Sequence, residues 1–218
     1  MTFSVMLNRS RIAMAEKKPF IKKVPNILCG IRIALIPVIL LFTFENPVSA
    51  ALFSTVRGRY IAGAIVFAVA MLTDAFDGNI ARKYDAVSDF GKFIDPIADK
   101  LIVLSMLIMF VDEGIMSTLP VLIVLAREFF VTGLRLAAAG KGEVVAANMW
   151  GKIKTCLQSV TIVAAFVCVI IQSGTASSLT PDISSGIVIP EILLWITAAY
   201  TVISCIPYYI SNRKYLKD

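Results

Sequence analysis

Histidine does not occur in the 218-residue chain. Its absence removes the commonest general base and the commonest zinc ligand, so any proton transfer falls to carboxylates, lysine, tyrosine or cysteine. Cysteine is also sparse: Cys29, Cys156, Cys168 and Cys205 all lie in apolar stretches, without C-x-x-C or other metal-type spacing. They read as small buried apolar residues, and no disulfide framework is implied. Charge is scarce as well, at 17% of residues against 58% hydrophobic. With a mean hydropathy of +0.82, the chain has far more apolar residues than one soluble core requires.

That excess falls in six stretches, 24–44, 60–82, 93–111, 117–138, 152–172 and 187–210. Each is close to the roughly 20 apolar residues that a bilayer-spanning helix needs. The expected fold is therefore all-α, a polytopic membrane protein with six transmembrane helices. Too little chain remains for a separate soluble domain, so residues 24–218 form one six-helix membrane domain and any chemistry belongs to helices and short loops.

Lys and Arg number 21 against 15 Asp and Glu, a net charge of +6. In a soluble protein that balance could indicate nucleic acid, but its distribution points to a membrane instead. The basic residues concentrate at 1–23, 82–92, 135–154 and 211–218. The alternate loops hold Arg57 and Arg59 in one and no basic residue in 112–116 or 173–186. Lys and Arg accumulate on the cytoplasmic side, which places both termini and the 82–92 and 135–154 loops in the cytoplasm of a multi-pass inner-membrane protein. Residues 1–23 carry Arg9, Arg11, Lys17, Lys18, Lys22 and Lys23. They read either as a basic juxtamembrane segment that attracts anionic lipid or as an irregular start before the first span. The apolar run behind them is long and lacks a cleavage pattern, so a removable secretory signal is not expected.

Acids are concentrated where the second and third spans meet. The segment TDAFDGNIARKYDAVSDFGKFIDPIADK places Asp74 and Asp77 three apart and Asp95 and Asp99 four apart, and on helices each pair shares a face. The short connection brings the two helix ends together, so four carboxylates converge. Alone they would repel and take up protons; with divalent cations between them they form an all-oxygen site suited to Mg²⁺ or Mn²⁺. Two such ions stabilise the attacking and leaving oxygens of a phosphoryl displacement. Gly78 and Gly91 let a ligand approach the backbone, Ala81 keeps bulk away, and Arg82 offers a fork suited to phosphate. Asp85 and Asp89 lack the tight spacing and read as loop or cap residues. Ion transport is the rival reading of membrane aspartates, but it predicts acids near mid-bilayer on several helices rather than at one surface beside glycines and an arginine.

These positions match D-x2-D-G-x2-A-R-x8-G-x3-D-x3-D at every fixed residue, and the chain thereby resembles the CDP-alcohol phosphotransferase family. The resemblance implies a six-helix fold with a cytoplasm-facing polar cavity, in which an acceptor hydroxyl displaces CMP from a CDP-linked donor. It implies metal ligation by Asp74, Asp77, Asp95 and Asp99, with Asp99 also the general base. Gly78, Ala81, Arg82 and Gly91 would contact the CDP moiety.

Outside the signature, the segments 24–37, 119–135 and 150–155 are similar to the bacterial branch that joins CDP-diacylglycerol to glycerol 3-phosphate. Phosphatidylglycerol, serine and inositol phosphate are the rival acceptors. A phosphate-bearing acceptor needs cations near the metals, and Arg127, Arg135, Lys152 and Lys154 are available. Arg127 stands out because it lies deep in an apolar stretch, where a guanidinium needs a partner or a wet cavity. Glu128 adjoins it, but neighbouring helix residues point about 100° apart, so no direct pair is expected. Arg32, two turns into the first span, either snorkels to the surface or faces the cavity. The expected surroundings are membrane lipids, with no nucleic acid, and a homodimer is compatible.

Overall fold

A computed structural model describes residues 24–84, 89–140, 149–173 and 188–212. Helices are the only regular structure among them. Six are long: α1 (Val24–Thr43), α3 (Val56–Tyr84), α4 (Asp89–Asp112), α5 (Thr118–Gly140), α6 (Met149–Gln172) and α7 (Val188–Asn212). A short helix, α2 (Pro47–Leu52), lies between the first two.

Among the described residues three stretches are long and apolar enough to cross a membrane: Val56–Thr73 in α3, Met149–Gln172 in α6 and Val188–Ile206 in α7. Helices α1, α4 and α5 have 20, 24 and 23 residues, enough for a bilayer at about 1.5 Å per residue. The described apolar run of α1 is Cys29–Thr43, and charged residues interrupt the other two: four acids and two lysines in α4, and Arg127, Glu128 and Arg135 in α5. Six helices thus have the length for a span, and three of them carry a described stretch that is also apolar enough over that length.

Helix ends follow local chemistry. Asn46 caps α2, accepting from the Val48 and Ser49 amides at 3.0 and 2.9 Å while its own amide donates to Ser49 Oγ at 3.1 Å, a reciprocal capping box. Gly114, at φ 70°, takes the left-handed conformation that ends α4. Beyond it the Ile115 and Met116 amides turn back to the Phe110 carbonyl at 2.8 and 3.0 Å. The start of α3 at Val56 brings Arg57 and Arg59 into the helix rather than a loop, and Arg59 is buried there.

Helix α1 packs against α3 and α4, α6 joins α3 and α4 to α7, and α7 lies along α5. Phe166 of α6 is the hub, with ring centroids 6.3 Å from Tyr60, 6.0 Å from Phe67 and 5.0 Å from Phe110. Such ring pairs contribute about 0.5–1.5 kcal/mol each. The outer surface is apolar on every long helix, as at Ile31, Leu72, Leu101, Phe129, Ile171 and Trp195. In water this would be one large sticky patch; against lipid it is an ordinary exterior, with backbone polarity satisfied inside each helix. The chain is a membrane protein.

Candidate active site

Buried residues set the inward stripe of α3: Tyr60, Gly63, Phe67 and Ala70. At 100° per residue, positions 74 and 77 continue that stripe past the apolar Val56–Thr73 stretch. Gly78, Ala81 and Arg82 fall on the same helix within two further turns. On α4 the inward stripe passes through Ile102 and Met106, and positions 95 and 99 are its continuation toward the helix start. Gly91 lies one turn earlier. Both aspartate pairs therefore occupy helical backbone in register with the buried residues of α3 and α4, toward the end of one helix and the start of the next. The side chains of Asp74, Asp77, Gly78, Ala81, Arg82, Gly91, Asp95 and Asp99 lie outside the described residues, as do Asp85 and all of residues 1–23.

Next to position 99, Lys100 donates to the Thr132 hydroxyl of α5. Thr132 in turn donates to the Glu128 carbonyl oxygen at 2.6 Å. Glu128 begins a buried charge cluster: its Oε1 accepts from Lys154 Nζ of α6 and lies 3.5 Å from Arg127 Nη1. Arg127 also donates through Nη2 to Ser204 Oγ of α7 at 3.2 Å. All three ionic side chains are at least nine-tenths buried. A charge inside a membrane bundle is tolerated where it is paired or meets a polar cavity, and here three helices contribute the pairing.

The cluster continues as a polar seam between α6 and α7. Lys154, Gln158 and Thr161 face Ser204, Thr201 and Thr197, all buried, and the Thr161 and Thr197 hydroxyls meet at 3.0 Å. Arg127 Nε, Gln158 Nε2 and Thr201 Oγ1 are buried without a hydrogen-bond partner among the described residues. Unsatisfied buried polar atoms at this density point to a ligand or water that belongs there.

Of the four cations considered for an acceptor phosphate, Arg127 and Lys154 meet at Glu128. Arg135 is half-buried two turns along α5 from Glu128, and Lys152 is exposed. Arg32 is buried in the bundle rather than reaching its surface. Sequence reasoning passed over Lys100 and Ser204 and did not expect the Arg127–Glu128 contact. Glu128 in an apolar stretch was a signal for some partner, but nothing in the spacing names Lys154, 26 residues away.

The opposite end of the bundle is closed differently. Glu191 accepts from the Ser117 amide and from Trp195 Nε1, both at 2.9 Å. Glu113, in the turn after α4, has its carboxyl pushed above the usual range by burial, with the nearby Arg59 opposing that shift. No polar seam like that of α5, α6 and α7 is found there among the described residues.

The family model for CDP-alcohol phosphatidyltransferase matches residues 22–203, so it takes in both aspartate helices and the cationic cluster. A Bacillus subtilis protein named CDP-diacylglycerol–glycerol-3-phosphate 3-phosphatidyltransferase is 39% identical over 196 residues, covering 88% of this chain and 96% of its own. A Rickettsia bellii protein of the same name is 39% identical over 195 residues, covering 89% of this chain and 97% of its own. A Mycobacterium tuberculosis protein named probable phosphatidylglycerophosphate synthase is 42% identical over 142 residues, 65% of each chain.

Proposed function

The chain belongs to the CDP-alcohol phosphatidyltransferase family, and from that premise we propose that it transfers the phosphatidyl group of CDP-diacylglycerol to glycerol 3-phosphate, giving phosphatidylglycerol phosphate and CMP. One observation carries the choice of acceptor: relatives bearing that enzyme name align over nearly their whole length, not only over the aspartate signature.

The donor set suits divalent metal. Carboxylate positions three and four apart on two bundle-facing helix stripes offer only hard oxygen ligands, which favour Mg²⁺ or Mn²⁺ over softer metals. Asp74, Asp77, Asp95 and Asp99 would hold two such ions, whose chemistry is to neutralise charge on the bridging diphosphate. Gly78, Ala81, Arg82 and Gly91 bind the CDP portion. Asp99 accepts the proton from the 1-hydroxyl of glycerol 3-phosphate. That oxygen forms a bond to the lipid-side phosphorus, and the bond from this phosphorus to the CMP oxygen breaks. Arg127 and Lys154, with Arg135 nearer the helix end, hold the acceptor phosphate, and the exposed Lys152 adds only a screened attraction, so positioning supplies much of the barrier reduction.

The basic loops place this site, both termini and residues 1–23 on the cytoplasmic face of the inner membrane, with 24–218 as a single six-span catalytic domain. The test is acceptor choice. Purified protein with CDP-diacylglycerol and Mg²⁺ is offered glycerol 3-phosphate, serine, inositol phosphate and phosphatidylglycerol separately. CMP release is expected with glycerol 3-phosphate; release only with another acceptor would overturn the assignment.

A further inference from the structure

An acid in the middle of a site meant for an anion needs a reason. Glu128 is buried on α5, and one of its oxygens touches both Lys154 and Arg127. Its backbone carbonyl is joined through Thr132 to Lys100, the residue after Asp99. Without Glu128, an ammonium and a guanidinium would face each other in a low-dielectric interior with nothing to hold them together. Like charges there repel strongly, and each would swing toward another partner or toward water. With Glu128 present, two cations against one acid leave one net positive charge, fixed between three helices.

We propose that Glu128 is a positioning residue for the acceptor, a carboxylate clamp that holds Lys154 and Arg127 in the arrangement that receives the glycerol 3-phosphate phosphate group. The proposal rests on the acceptor reading given above and adds the residue that organises its cations. Glu128 itself would repel the phosphate, so its contribution reaches the acceptor only through the two cations. The link from Thr132 to Lys100 ties α4 to α5 one turn away through the backbone carbonyl of residue 128, so it does not depend on the carboxylate and persists in its variants.

Three variants and their combination test this: E128Q, E128D, K154M and the E128Q/K154M double variant, assayed in purified form for both substrates. E128Q keeps the side chain's size and removes its charge. It should raise KM for glycerol 3-phosphate about tenfold, in line with the loss of one charge-assisted contact, with kcat within about threefold of wild type and KM for CDP-diacylglycerol unchanged. E128D should recover part of the loss, because it restores the charge at shorter reach. It also serves as the assay variant if E128Q does not accumulate in the membrane. In the double variant the two effects should fall short of additive, since one of the two cations through which Glu128 acts is already removed.

Additive effects, or an equal loss for both substrates, would overturn the clamp and leave Glu128 a structural residue. A raised acceptor KM in K154M with no change in E128Q would overturn the clamp while leaving the acceptor site in place. An unchanged acceptor KM in K154M as well as E128Q would remove the acceptor site itself, and the clamp with it.

Discussion

Two groups of charged residues are set on the long helices of this bundle in opposite ways. On α3 and α4, acids recur at spacings of three and four, at positions 74 and 77 and at 95 and 99, and in the proposed function divalent ions balance them. Across α5, α6 and α7, opposite charges stand together, with Glu128 between Arg127 and Lys154. In that reading the first region is completed by bound ions, whereas the second is paired within the chain. The proposed reaction between two anionic substrates would gain from that division, with ions meeting the donor diphosphate and cations fixed in the protein meeting the acceptor.

The comparison breaks most readily at the aspartates. D99N should lower kcat by about 10³-fold, within the range attributed to general-base loss, while CDP-diacylglycerol still binds. Turnover near wild type, measured as CMP release, would remove Asp99 as the base.

The two regions also differ in how far they could be read from sequence, and the reason is distance along the chain. The aspartate positions are set by spacings of three and four within single helices, and the helices themselves are legible: the apolar stretches 24–44 and 187–210 became α1 (Val24–Thr43) and α7 (Val188–Asn212). The second region depends on pairings 26 and 77 residues apart, which no local period encodes. Hence Lys154 was read as a cation free for phosphate, although it is held by Glu128. The short helix α2 was missed for a different reason: its only signal is the Asn46 cap ahead of Pro47, inside what looked like a loop.

A smaller effect separates the regions by substrate. R127M removes a guanidinium that touches Glu128 and Ser204. It should raise KM for glycerol 3-phosphate about 10- to 100-fold, as expected for a buried charged contact, and leave KM for CDP-diacylglycerol within about twofold. Equal changes in both would show that the two regions do not divide the substrates. The smallest effect is expected at Lys152, which is exposed two residues from the buried Lys154. K152Q should change either KM by less than about twofold, because exposed charges are screened by water and salt. A tenfold rise in acceptor KM would extend the fixed cationic region to the surface of α6.

Gly63 of α3 sets the scale on which the aspartate ends can move. A Cβ there would lie 2.5 Å from Thr43 Cγ2, so α1 and α3 touch backbone to side chain. The Thr43 hydroxyl donates to the Ile39 carbonyl at 2.8 Å and lies 2.9 Å from Met109 Sδ of α4. Three helices are thus fastened at one level, and position 74 is eleven residues further along α3, roughly 16 Å away at 1.5 Å per residue. Pivoting α3 by about 5° on that contact would sweep position 74 through roughly 1.4 Å over this lever arm. A misplacement of about 1 Å can cost 10²-fold in rate, so a methyl group added at residue 63, remote from any substrate, would act on the chemistry as a wedge acts on the tips of a pair of tongs.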